Sequence, residues 1–364
     1  MTVTSGQHND LVIIGGGSAA FAAALKASEL GASVTMINEG LPIGGTCVNV
    51  GCVPSKTLIR AAEAHYRALH NPFSGIESGS RIADFRAIVE QKRQLVEEMR
   101  RKKYINIIEG MPNVTLIEGK ARLVEKNKIA VNGKDVGGDH IIIATGAAPF
   151  AAPIPGLSEA GYLTNETAFE LEELPESLIV LGGRYVALEC AQMFSRFGSR
   201  VTILQRSERI LPTEGEDITD ALSKYLRKEG IEVFTNVKTE RVRREGDRVL
   251  VETTVDGNPR EFAAREILVA TGRRPNTEDL NLEAVCVELD SRGFVKVDNT
   301  LRTSASSIYG GGERHRRAHV RIHSRLRRVP RSGKRYHRLF QSKRLFRPSL
   351  GHFYRSPGRW GGLG

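Results

Sequence analysis

Short apolar runs that end on glycine recur along the chain. Leu11-Val12-Ile13-Ile14 is continuous and apolar, the pattern of a strand buried on both faces, and it leads directly into Gly15-Gly16-Gly17-Ser18-Ala19-Ala20. A helical pattern continues to Glu29, Gly31 ends it, and Ser33–Ile37 reads as a second strand with Glu39 just beyond. The same order returns at Leu178–Leu181, Gly182-Gly183-Arg184-Tyr185-Val186-Ala187, a helix to Phe197, Gly198, and a strand over Arg200–Leu204. In both copies 16 positions separate the first glycine from the helix-ending glycine, and 19 separate it from a valine of the second strand. One glycine-rich turn is a weak signal, but two in matching context predict an α/β fold with two Rossmann-like nucleotide-binding domains.

The first copy has the residues that such a unit needs, and the second departs at one position. Gly15, Gly17 and Ala20 fit G-x-G-x-x-A: the glycines allow a tight turn and close approach to a pyrophosphate, and the helix N-terminus supplies unpaired N–H groups. Glu39 suits a ribose with both hydroxyls free. In the second copy, after Gly182 and Gly183, the strand ends on Gln205-Arg206 with Arg209 nearby and no carboxylate. A neutral residue beside a guanidinium favours a 2′-phosphate and therefore NADPH. Arg184 takes the place of the middle glycine, where it either crowds the pyrophosphate or pairs with it.

Beyond Glu39 lies Gly44-Gly45-Thr46-Cys47-Val48-Asn49-Val50-Gly51-Cys52-Val53-Pro54-Ser55-Lys56, followed by a helical pattern to Leu69. Two cysteines five apart, at the entry to a helix and near Lys56, suit a lowered thiolate pKa and reversible disulfide chemistry. Structural zinc is the competing use, but it needs two more ligands. The remaining cysteines, Cys190 and Cys286, fall in an apolar helix and an apolar strand pattern.

At these residues the chain resembles the pyridine nucleotide-disulfide oxidoreductases. Further matches are Gly119-Lys120-Ala121, Ala144-Thr145-Gly146, and Ala270-Thr271-Gly272-Arg273-Arg274-Pro275-Asn276. The resemblance runs from about residue 10 to 313. It implies FAD on the first unit, NADPH on the second, and electrons passing from nicotinamide through flavin to the cysteine pair. On the FAD side it implicates Gly15, Gly17, Ala20, Glu39, Gly45, Thr46, Lys56, Ala121, Thr145, Gly146 and Glu313, where Glu313 stands at a family aspartate. On the NADPH side it implicates Gly182, Gly183, Gln205, Arg206 and Gly272. It further implies that Cys52 faces the flavin, that Cys47 meets the substrate, that Lys56 and Glu189 pair near the flavin, and that Tyr185 gates the nicotinamide pocket.

The NADPH pattern argues against a dihydrolipoamide dehydrogenase, and Ser55 stands where glutathione reductases carry lysine. The run Cys47–Ala62 resembles most the mercury(II)-reducing branch of the family, in which Cys47 and Cys52 hold Hg(II), a soft-metal substrate, as it is reduced. The domains expected are 1–148 for FAD and the cysteine pair, 149–270 for NADPH, and 271–313 as an incomplete return to the first.

Charge changes the picture only at the end of the chain. The 364 residues carry a net +11, yet residues 314–364 hold 16 Lys and Arg and no Asp or Glu, leaving 37 basic against 42 acidic residues in the remainder. The resemblance stops within one residue of Glu313, and the segment beyond has no apolar period. With synonymous codons left free, residues 314–335 and 351–362 can be read one base out of register as strings resembling the family's continuation. A frameshift is therefore expected, replacing the interface domain by an unstructured basic tail and impairing both activity and the family's homodimer. The rival expectation is a redox protein whose basic tail meets nucleic acid, a weaker reading. The first ten residues lack the basic and apolar pattern of a leader, and no apolar run reaches 18 residues, so a membrane span is not expected and a cytoplasmic location is.

Overall fold

The computed structural model describes residues 8–312, so Glu313 and the basic segment, with the expectations placed on them, lie outside the described residues. The chain divides into two compact units. The first gathers residues 8–40, 108–146 and 275–312, and the second gathers 41–107 and 147–274.

The first unit is built on a seven-stranded sheet. Strand β1 (His8–Ile14), helix α1 (Ser18–Glu29) and strand β2 (Val34–Asn38) form its opening βαβ crossover, with β1 and β2 parallel and Leu11 opposite Val34. β1 also pairs in parallel with the strand Lys134–Ile143, which begins near the N-terminus of β1 through Gly137 and Gly138, opposite His8 and Asn9. That pairing lengthens β1 beyond its apolar run. The strand Ile308–Gly310 closes the set in parallel on Lys134–Ile143, with Tyr309 opposite Ile142. Val12, Ile14, Ile37, Ile141, Ile143 and Ile308 bury together as the core beneath it.

The second unit repeats the crossover. Its four-stranded parallel sheet places β3 (Ser177–Leu181) between Glu266–Val269 and β4 (Arg200–Leu204), with Glu232–Phe234 at the edge. A three-stranded antiparallel sheet over 237–264 packs its inner face, including Val242, Val251 and Phe262, in a common core with Ile179 and Leu181 of β3. The segment carrying the cysteines belongs to this unit. It comprises α2 (Gly45–Asn49), α3 (Cys52–Leu69) and α4 (Phe85–Arg100). Leu58 and Ala62 of α3 are fully buried in one cluster with Ala187, Ala191 and Phe194 of α5 (Tyr185–Phe197).

α4 is fixed to the same unit by an ionic cluster. Lys92 is only 1% exposed and pairs with Glu170, which also receives Arg93 Nε at 2.8 Å. Burial pulls the Lys92 ammonium below its usual range, against the opposing pull of Glu170. Removing Glu170 alone would strand a buried cation, so the cluster holds α4 more through the cost of breaking it than through the worth of the pair.

Candidate functional site

In the first unit the glycine turn between β1 and α1 is shaped for close approach. Gly15 lies at φ +124°, and a Cβ there would sit 2.3 Å from the Ala144 carbonyl oxygen, so only glycine lets β1 turn beside the end of its neighbouring strand. Gly17 caps α1 in extended conformation with no side-chain cap, which leaves the first-turn N–H groups of α1 for another acceptor. Ala20 is fully buried and Glu39 is exposed just past β2. Thr145 and Gly146 are tied to the returning segment: Thr145 Oγ1 donates to the Asn276 carbonyl at 2.5 Å, and Asn276 N donates to Gly146 O at 3.1 Å. A Cβ on Gly146 would meet nothing within 4 Å, and one on Gly312 only Ala19, at 3.8 Å. Ala121 is buried, and its neighbour Lys120 pairs with Asp279 at 2.8 Å, which raises the lysine pKa. A bare turn, an uncapped helix start and an exposed carboxylate at the next strand end fit a dinucleotide such as FAD.

In the second unit Gly182 repeats the Gly15 arrangement, at φ +118° with a Cβ position 2.5 Å from Ala270 O. Arg184 caps α5 in extended conformation, exposed and with no ion pair among the described residues. Gln205, expected at the ribose, is buried. Its Cγ lies 3.0 Å from where a Cβ on Gly183 would stand, so it supports the turn from beneath. Arg206 is exposed and likewise has no ion pair among the described residues, while Arg209 faces Glu216 at 3.6 Å. Gly272 O accepts from Phe150 N at 3.0 Å, joining the two strands that lead in and out of this unit.

The cysteines stand on consecutive helices. Cys47, half-buried, is on α2 after Gly45 and Thr46, and Cys52, exposed, is the first residue of α3. Gly51 between them comes so close to Thr46 that a Cβ would lie 2.7 Å from the Thr46 carbonyl oxygen, which allows the tight join. Tyr104 packs against Gly44 from the far side, with ring atoms 3.5 Å from its Cβ position. One turn into α3, the exposed Lys56 ammonium donates to Glu189 of α5. The structure therefore brings these two together across 133 residues of chain.

Cys190 follows Glu189 but is fully buried, and burial pushes its thiol up to about 12, so it is not a thiolate near neutral pH. Cys286 is not on a strand: it is exposed, at φ +58°, and caps the 3-10 turn Leu282–Val285. No group of three or more His, Cys, Asp or Glu that could hold a metal ion exists among the described residues. No helix of the described residues is long and apolar enough to cross a membrane.

Two residues of this neighbourhood carry no sequence signal. Glu214 accepts a 2.6 Å hydrogen bond from the Tyr185 hydroxyl, and that bond raises the tyrosine pKa. Tyr104 reaches Gly44 from a π-helical turn, Arg101–Ile105, that no periodicity marks.

The family model for the pyridine nucleotide-disulphide oxidoreductases matches residues 9–330. The mercuric reductase of Staphylococcus aureus is 43% identical over 304 residues, which cover 84% of this chain and 55% of the relative. That of Bacillus cereus is 43% identical over the same span, covering 48% of its length. Among solved structures, the HOCl-induced flavoprotein disulfide reductase RclA of Escherichia coli, as its Cu(II) complex, superposes with a TM-score of 0.75 at 32% identity, over 84% of this chain and 66% of that one. The chain thus spans about half the length of these curated relatives. Its two glycine turns, its cysteine pair and its matches throughout the described residues make it a member of the pyridine nucleotide-disulphide oxidoreductase family.

Proposed function

We propose that the chain is the two-nucleotide portion of an FAD-dependent, NADPH-linked disulfide oxidoreductase that reduces Hg(II) to Hg(0), and that it serves mercury detoxification in the cytoplasm. The carrying observation is Cys47 and Cys52 on consecutive helices, with Lys56 of the second helix paired to Glu189 of the helix that starts at the other glycine turn. Bound to the first unit, FAD supplies a two-electron relay between nicotinamide and the thiol pair.

The residues of this chain divide the remaining work. Gly15, Gly17 and Ala20 bring backbone N–H groups to the FAD pyrophosphate and Glu39 holds its ribose, while Thr46, Ala121, Thr145 and Gly146 line the rest and Glu313 ends the set. Gly182 and Gly183 receive the NADPH pyrophosphate, Gln205 keeps their turn in shape, and Arg206 meets the 2′-phosphate. The domain boundaries of this reading are 1–148, 149–270 and 271–313. Glu189 orients the Lys56 ammonium, which favours a nearby thiolate. Cys52 would face the bound flavin and Cys47 would meet the metal. Two soft thiolates would grip Hg(II), which takes two electrons and leaves as Hg(0); NADPH gives up a hydride and leaves as NADP+, the hydride's proton passing to solvent, so one metal atom is reduced per NADPH.

In the frameshift reading, one purine inserted in an aspartate codon produces Glu313 and the basic segment. The experiment is to express the chain as it stands beside a version with the frame restored and assay NADPH-dependent release of Hg(0). The restored protein is expected to be active and dimeric, and the present chain to have little or no activity. Equal activity from both would refute the frameshift reading, and none from either would refute the Hg(II) assignment.

A further inference from the structure

Tyr185 opens α5 directly after the second glycine turn, and 58% of it is exposed. Its hydroxyl is nevertheless committed to Glu214 Oε1, at 2.6 Å, and the same oxygen lies 3.4 Å from Thr213 Oγ1. The acceptor is held by its loop. Leu211 N donates to Gly183 O at 2.8 Å, Leu211 itself sits at φ +44°, and Glu214 N donates back to Leu211 O at 2.9 Å. Ile210 and Leu211 are buried. The Glu214 carboxylate is thus hung from the glycine turn that starts α5, while the Tyr185 ring, mostly in solvent, is restrained at its tip by this one bond.

We propose that Glu214 is a positioning residue that latches Tyr185 over the nicotinamide side of the dinucleotide site, so that the nicotinamide half enters only when the hydroxyl lets go. The proposal rests on the NADPH reading above. A bond present in the unbound protein and broken in the complex lowers apparent affinity by the fraction of unlatched protein. The cost falls on nicotinamide alone, because the adenosine phosphate end addresses Arg206, exposed just beyond β4, and does not require Tyr185 to move.

The probe pair is NADPH and 2′,5′-ADP, which carries the 2′-phosphate and adenosine but no nicotinamide, each titrated into the full chain and into Tyr185→Phe and Glu214→Ala. Tyr185→Phe removes the donor without changing charge and keeps the ring. It is expected to tighten NADPH roughly three- to tenfold, the range for an exposed hydrogen bond to a carboxylate, and to leave 2′,5′-ADP within about twofold. Glu214→Ala also removes a negative charge and shifts both ligands, with an excess of the same size for NADPH. NADPH affinity unchanged or weakened, or equal shifts for both ligands in both variants, would overturn the latch while leaving the NADPH site standing. Failure of 2′,5′-ADP to bind the unaltered chain would remove the NADPH reading and the latch together.

Discussion

Cys47→Ala in the frame-restored protein is expected to abolish NADPH-driven Hg(II) reduction while leaving FAD binding and flavin reduction by NADPH in place. Cys47 stands on α2, which belongs to neither glycine turn, so the substitution alters neither of them. With one thiol gone, two changes act in the same direction: no disulfide can form to accept the electron pair, and Hg(II) loses one of the two thiolates of its linear soft-donor site. A loss of at least about a hundredfold is expected, on about 1.4 kcal/mol of barrier per factor of ten. Release of Hg(0) at the unaltered rate would remove Cys47 from the chemistry. Cys190 cannot stand in for it, since its buried thiol has been pushed up to about 12.

Arg206→Glu is expected to have the second-largest effect. Arg206 is exposed at the end of β4 with no ion pair among the described residues, so its charge is available to a ligand, and Gln205 beside it is turned inward beneath Gly183. A charge-assisted contact to phosphate is worth about 1.5 to 3 kcal/mol, so NADPH affinity should fall by roughly one to two orders of magnitude. NADH, which has hydroxyls where NADPH has the phosphate, should gain in relative affinity because a carboxylate can accept from them. Calorimetric titration of both nucleotides into the variant checks this. Unchanged NADPH affinity would place the phosphate on another cation, such as Arg184 or Arg209.

Both crossovers were legible because spacing and residue type act locally there: an apolar run, a glycine that must adopt positive φ, and a helix that a second glycine ends. Their edges were less so, since β1 reaches back to His8 through pairing with Gly137, a partner more than a hundred residues away. The placement of α3 depended on which helix would bury Leu58 and Ala62, and an amphipathic pattern does not name its partner. Cys286 looked like a strand residue because its neighbours are apolar, but they are buried from a 3-10 turn. The Tyr185–Glu214 bond and the Lys92–Glu170 pair join exposed-looking charges across 29 and 78 residues, separations at which nothing in the sequence links them. Lys56 and Glu189 were linked only through the family resemblance.

The decisive event is the arrival of NADPH electrons at the cysteine pair. The most direct measurement is an anaerobic count of reactive thiols in the frame-restored protein, supplied with FAD, before and after one equivalent of NADPH. If Cys47 and Cys52 form the redox pair, two new thiols appear per chain, both mapping to those positions, and none appears in Cys47→Ala. An unchanged thiol count in protein that consumes the NADPH would contradict it.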